Sequence, residues 1–339
     1  MESKPIFFNR NRVGRVYTGG KLFAGFFEGD APEDNFLPEE WIASSVEAIN
    51  KEKRGEREGV SVDAESGRYF DELLREDPKK MLGSTGKMRI LVKVLDSAVR
   101  LPAQAHPDKA FSRKFFDSEY GKTESWYILN TRPGAKLYFG FKDGVNEEIF
   151  SRAIDDSETD KDAMERLMEA IVPEKNDMFL VPAKTVHAIG AGCLILEIQE
   201  PTDFTIQPEH WCADYHLNDR EMYIGLDKKD AVSCFDFTKA PDTKAIPRSI
   251  LSSDDCTIEN LIGPADTECF VINRITLKSG EYQPCVFDSY GVYIVTKGEG
   301  SIVGKNYEHT LRQGDYFFLP CDAMKKFTLK GDMEVIEAY

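Results

Sequence analysis

Residues 176–183, Asn-Asp-Met-Phe-Leu-Val-Pro-Ala, are echoed by residues 314–321, Gly-Asp-Tyr-Phe-Phe-Leu-Pro-Cys. In each, the Asp makes a turn into a short apolar strand and the Pro ends it. One such echo is a common way to enter a strand. A second lies upstream in the same order: Trp126-Tyr-Ile-Leu followed by Gly134, and Val292-Tyr-Ile-Val followed by Gly300. The paired blocks are further apart in the first copy, by about the length of the stretch 146–171 that lies between them. The economical reading is two copies of one β-fold, the first carrying a helical insertion.

The rest of the chain agrees. Short runs rich in Val, Ile, Tyr and Phe recur between Gly, Pro, Asn and Asp, as in RILVKVLD, SWYILN, AKLYFGF, CLILEIQE and GVYIVTK. Many short strands at turn-limited spacing indicate a sandwich or barrel. Three stretches read as helical. EWIASSVEAI (40–49) is short. Residues 61–83 place Phe70, Leu73 and Leu74 at helical spacing, and residues 146–171 place Met164, Leu167, Met168 and Ile171 on one apolar face.

The 339 residues carry 43 basic and 59 acidic side chains, a formal net charge of −16. This length suggests about two domains at roughly 150 residues each. Hydrophobic residues at 41% and charged residues at 30% describe an ordinary globular chain. The acidity argues against nucleic acid and against anionic membrane surfaces as partners. It leaves open a small anion held by a few concentrated lysines. No apolar run reaches membrane-spanning or signal-peptide length. The seven cysteines include no CxxC pair and read as reduced thiols, so the expected compartment is the cytoplasm.

Of the five histidines, His106 follows Gln104 in LPAQAHPD, and alternation along an extended segment puts the two on one face. Glu124 opens the strand ESWYIL, and His187 follows the strand that ends at Pro182. Two imidazoles, a carboxylate and an amide oxygen from separate strands could close on a divalent ion, zinc or iron, although Gln is an uncommon fourth ligand. Taken singly, each His is more often a hydrogen-bonded core residue. His210, His216 and His309 have no partner nearby in sequence and read as non-ligating. In the second copy Lys325 stands where the first has His187, and Glu124 aligns near Tyr290, so any metal belongs to the first copy.

These residues carry a resemblance. The strings Gln-x-His-Pro-Asp at 104–108, Lys-Thr-Glu-x-Trp-Tyr at 122–127 and Thr-Val-His-Ala-Ile at 185–189 lie in a block, roughly 87–207, that closely resembles the type I mannose-6-phosphate isomerases in their short bacterial form. The resemblance implies a mainly β chain of two cupin (jelly-roll) β-barrel domains with helical insertions in the N-terminal half. Residues 1–240 would be the metal-binding catalytic domain, with insertions at about 61–83 and 146–171. Residues 241–339 would be a cupin-like domain without ligands. It implies one zinc ion per chain on Gln104, His106, Glu124 and His187. Lys93, Lys122 and Asp203 fall on further active-site positions. The implied activity interconverts mannose 6-phosphate and fructose 6-phosphate through a cis-enediolate, with a phosphorylated hexose as partner and monomer or homodimer both open.

Two positions depart from the pattern. Gln207 stands where the resemblance implies a catalytic arginine, four residues after Asp203, and Tyr17-Thr18-Gly19-Gly20 replaces a Trp before paired glycines. Loss of a charged transition-state partner typically costs about 3–4 kcal/mol. Arg10, Arg12, Arg15 and Lys21 are the nearby cations in sequence. A sugar-phosphate-binding bicupin without turnover, motivated by Gln207, and an iron-dependent oxygenase on two histidines and a carboxylate are the alternatives.

Overall fold

The computed structural model describes residues 3–51, 53–238 and 243–339. A six-stranded antiparallel sheet runs Arg12–Val13, Glu39–Ile42, Leu91–Asp96, Cys193–Gln199, Glu124–Thr131, Met178–Val181. A three-stranded sheet of Met168–Ile171, Leu137–Phe141 and His187–Ile189 accompanies it, and Trp126, Phe139, Phe179 and Ile189 share one apolar cluster. The C-terminal half forms an eight-stranded sheet whose order begins Ile6–Phe7, Tyr316–Leu319, Gly291–Gly304, Phe327–Ala338 and Ile272–Tyr282. Its long strands bend at register shifts, as between Val295 and Lys297, and enclose a second cluster around Tyr293, Phe317 and Val335. The chain is thus mainly β, arranged in several sheets. The expected domain boundary at 240/241 lies outside the described residues. The chain start, Ile6–Phe7, pairs with Phe317 and Phe318 at the edge of the C-terminal sheet.

Strand alternation gives the six-stranded sheet two different faces. Ile42, Val92, Val94, Leu196 and Tyr127 point one way and pack with Ile272, Val292, Ile294, Phe318 and Ile336 of the C-terminal half. This shared core fastens the halves together. On the other face, cross-strand neighbours form the row Trp41, Lys93, Glu197, Trp126, Phe179. Lys93 and Glu197 therefore sit inside the first barrel as a consequence of register alone.

The echoed strands pair alike in the two halves, with a one-residue correction to their alignment. Asn176 and Gly314 both adopt positive φ (71° and 86°) and lead into the strands Met178–Val181 and Tyr316–Leu319. Trp126 pairs with Phe179, and the inward pair of the second copy is Tyr293 with Phe317. Val292 faces the other way, into the shared core. The structural counterpart of Glu124 is therefore Gly291, not Tyr290, and a Cβ on Gly291 would lie 2.5 Å from the Tyr293 ring. Lys325 is exposed. The aromatic ring fills the space that the carboxylate occupies in the first copy.

The helical expectations need three corrections. Glu39–Ile42 is a strand, buried on both faces so that no alternation shows in sequence. In 61–83 the helices are Phe70–Glu76 and Pro78–Leu82, separated at Asp77, whose carboxylate caps the Lys80 N–H. In 146–171 only Glu147–Asp156 is α-helical. Glu165–Leu167 is a single 3₁₀ turn, and Met168–Ile171 is a strand against Leu137–Phe141. So short an apolar pattern cannot outweigh sheet pairing, because an isolated short helix is marginal. Gly19 has a tertiary reason: its Cβ would fall 1.7 Å from the Asp96 carbonyl oxygen, and the Asp96 carboxylate accepts from the N–H groups of Gly20 and Leu22.

Phe318 is fully buried at the shared core, 4.9 Å from Phe70 between ring centres. Phe318→Ala is expected to cost about 3–5 kcal/mol in urea unfolding. Because the core is common, far-UV and near-UV signals of the wild type should lose structure in one coincident transition. Two resolved transitions, with only one shifted by the substitution, would contradict the shared core.

Candidate functional site

His106, Glu124 and His187 converge inside the first barrel, their donor atoms all within 4.8 Å of one another. Each comes from a separate backbone segment. Glu124 begins a strand, His187 begins another, and His106 lies in the extended segment that pairs Gln104 with His187. Gln104 donates its N–H to the His187 carbonyl at 3.0 Å and accepts from the His187 N–H at 2.9 Å. This places Gln104 beside His187, and it is buried. Glu124 Oε2 is 2.9 Å from His106 Nε2, and Glu124 Oε1 is 3.4 Å from His187 Nε2.

The tautomers follow from the outer partners. His106 Nδ1 lies 2.9 Å from the Phe204 carbonyl oxygen and His187 Nδ1 2.9 Å from that of Thr185. A carbonyl only accepts, so each Nδ1 donates and each Nε2 presents a lone pair inward. Glu124 Oε2 and His187 Nε2 are buried without a hydrogen-bond partner. Two lone-pair nitrogens against a carboxylate repel one another unless a cation joins them. The donor set therefore fits a divalent metal ion, with imidazole and carboxylate as ligands. Burial first, and then Lys122, push the His106 pKa down to about 3, and burial lowers that of His187 as well. Burial disfavours the charge on Glu124, but the ammonium of Lys122, 3.4 Å away, opposes it, and the Glu124 pKa is held well below the ordinary value.

A second cluster of charge adjoins the first. Lys122 Nζ is 3.1 Å from His106 Nε2 and 3.4 Å from Glu124 Oε2. Lys93 Nζ lies 3.7 Å from both Glu197 Oε1 and Asp203 Oδ1, and 4.8 Å from the centre of the Trp41 ring. Burial works against the charge of both lysines. It wins at Lys122, whose pKa is lowered; at Lys93 the carboxylates of Glu197, Glu39 and Asp203 prevail and raise it. Asp203 stays ionised despite burial because Arg15 and the two lysines face it. Glu197 goes the other way: burial pushes its pKa up to about 7, with only part of the effect offset by Lys93.

The structure brings Lys93, Lys122 and Asp203 together with the three ligand candidates. Gln207 is turned elsewhere: its side-chain N–H donates to the Glu221 carbonyl at 3.1 Å, and its backbone N–H donates to that of Met222. Of the four cations considered from sequence, Arg15 reaches the site. It donates to Asp203 Oδ1 at 3.0 Å and to Glu39 Oε1 at 2.8 Å. Arg10 and Arg12 lie over the Phe27 and Phe23 rings, and Lys21 is exposed. Sequence reading missed Glu39 and Glu197. The available signal was a carboxylate inside an apolar strand, Glu197 in CLILEIQ and Glu39 beside Trp41. Glu39 also accepts from the Tyr17 hydroxyl and the Trp41 indole N–H, at 2.6 and 2.7 Å.

No family model matches the sequence. The mannose-6-phosphate isomerase of Bacillus subtilis is 28% identical over 253 residues, 74% of either chain. That of Streptococcus mutans is 26% identical over 343 residues, covering 99% of this chain and 98% of its own. Among solved structures, the mannose 6-phosphate isomerase from Bacillus subtilis has a TM-score of 0.81 at 23% identity, covering 99% of this chain and 100% of its own. The apo form from Salmonella typhimurium has a TM-score of 0.74 at 14% identity, over 99% of each chain. In sequence the chain is similar to mannose-6-phosphate isomerases, and in fold it is similar to their solved structures.

Proposed function

We propose that this chain is a zinc-dependent aldose–ketose isomerase that interconverts mannose 6-phosphate and fructose 6-phosphate. The observation that carries the reading is one buried face on which a His–Glu–His set adjoins two lysines and the Glu197 and Asp203 carboxyl groups. The names of the Bacillus and Streptococcus relatives supply the substrate. Gln104, His106, Glu124 and His187 are the proposed zinc ligands. A divalent ion held there supplies Lewis-acid stabilisation of negative oxygen.

The protein's own groups have separable roles. Aldose–ketose exchange moves a proton from C2 of the open-chain sugar to C1, leaving an enediolate between the two transfers. A carboxylate serves best as the shuttle when its pKa lies near the working pH, and Glu197 meets that condition. It takes the C2 proton and returns it at C1. Lys93 and Lys122 hold the negative charge of enediolate or phosphate, which is stronger in a water-excluded site than in solution. Asp203 is a positioning residue, tying Arg15 and Lys93 to one place. Arg15 stands in for the cation that Gln207 lacks. A cytoplasmic setting remains part of the proposal, resting on seven cysteines with no disulfide among them. Among the described residues no helix is long and apolar enough to cross a membrane.

Three outcomes test this. Zinc-loaded protein should turn over mannose 6-phosphate in a coupled assay, with Lys122→Ala and Glu197→Gln each lowering kcat by about 10²-fold or more; no turnover of any aldose phosphate by the wild type would overturn it. Arg15→Ala should lower kcat/KM by about 10²–10³-fold, while Gln207→Arg changes it by less than about tenfold because a cation is already present; the reverse ranking would move the missing charge back to position 207. Finally, the depressed imidazole pKa values leave little proton competition for the ligands. The affinity of the bound zinc should fall clearly less from pH 7.5 to 5.5 than the roughly 100-fold that two ordinary imidazoles would cost. A competition titration with a zinc chelator at both pH values decides between them.

A further inference from the structure

A second convergence of metal-ligating groups lies outside the barrel interior. Among the described residues it is the other group of at least three His, Cys, Asp or Glu side chains whose donor atoms fall within 4.8 Å of one another: Glu158, His210 and His216. Glu158 Oε2 is 2.9 Å from His210 Nδ1 and 3.1 Å from His216 Nε2. The imidazole rings stack with centres 5.5 Å apart.

Bonds that do not use these donor atoms hold the backbone of the three residues in place, and the Trp211 ring packs against that of His216. Glu158 follows the helix Glu147–Asp156. His210 and His216 flank the hairpin Trp211–Cys212 and Tyr215–His216, where Trp211 pairs with His216. The His210 N–H donates to the Ser157 hydroxyl at 3.2 Å, the Trp211 indole N–H to the Glu158 carbonyl at 3.0 Å, and the Leu217 N–H to the His210 carbonyl at 2.8 Å. The Trp211 ring meets His216 edge-on at 4.7 Å. The site is thus preorganised by backbone and indole contacts, which lowers the ordering cost of binding. His210 Nδ1 is a buried nitrogen with no hydrogen-bond partner, although it lies close to the carboxylate. It has a carboxylate oxygen at ligand-sharing distance and no aligned hydrogen bond.

We propose that Glu158, His210 and His216 form a second, solvent-facing site for a late first-row divalent cation of the zinc class. Two imidazole nitrogens and one carboxylate oxygen suit such an ion, and the half-exposed side chains of Glu158 and His216 leave room for water as the remaining ligand. The ion would clamp the hairpin to the end of the inserted helix, a cross-link between two segments about fifty residues apart in the chain. The site is independent of the proposed isomerase centre, whose ligands are different residues.

The test is a zinc titration of metal-stripped full-length protein against a chromophoric chelator, comparing wild type with Glu158→Gln and His216→Gln. Both changes are at half-exposed positions, and circular dichroism in the presence of EDTA checks that each variant is folded. Each variant is expected to bind one equivalent of Zn2+ fewer than wild type and to lose part of the zinc-induced rise in Tm. Equal stoichiometry in wild type and both variants, with an unchanged zinc-induced Tm rise, would overturn the proposal.

Discussion

A carboxylate removed from water must find opposite charge or hydrogen bonds, and Glu124 is buried with an oxygen that has no hydrogen-bond partner. Much of the first barrel's architecture bears on that requirement. The segment holding Gln104 and His106 is pinned to His187 by a backbone pair, and the carbonyls of Phe204 and Thr185 turn both imidazole lone pairs inward. Lys122 supplies the nearest positive charge. A divalent cation would complete the set, because the inward lone pairs and the buried carboxylate oxygen are the donors such an ion takes.

The arrangement extends outward along the sheet. A strict alternation gives one face to the core shared by both halves and the other to aromatic and apolar side chains among which Lys93 and Glu197 are set, so these two cannot move without slipping a strand. Glu39, Arg15 and Asp203 surround Lys93, and their mutual attraction lets several ionised groups remain inside a protein. Glu197 is the member whose burial is not fully compensated, and its pKa rises towards neutrality for that reason. The C-terminal sheet holds the matching strand pair without this problem. At the position of Glu124 it has Gly291, covered by the Tyr293 ring, and its interior is filled by side chains.

Much of this was legible in the chain. The two echoed strands were legible as strands that pair alike in the two halves, and His106, Glu124, His187, Lys93 and Lys122 all stood in recognisable strings. The errors have physical causes. Glu39–Ile42 is buried on both faces, which erases the alternation that marks a strand. Met168–Ile171 mimics a helical face but is drawn into pairing with Leu137–Phe141. The one-residue slip between Val292 and Tyr293 matters because a strand's side chains change face at every step. Arg15 stood in the sequence as one of four nearby cations, and His210 and His216 read as non-ligating; what singles them out are Asp203 and Glu158, which are far away in sequence and meet them only through the fold.

The account rests on an ion and a phosphorylated sugar meeting on the charged face of the first barrel. The most direct measurement is a zinc-edge anomalous map from crystals soaked with Zn2+ and mannose 6-phosphate. It should show an ion among Gln104, His106, Glu124 and His187, with the sugar beside it and in contact with Lys93 or Lys122. An empty map at those four side chains, or sugar bound away from them while zinc is in place, would contradict the central claim.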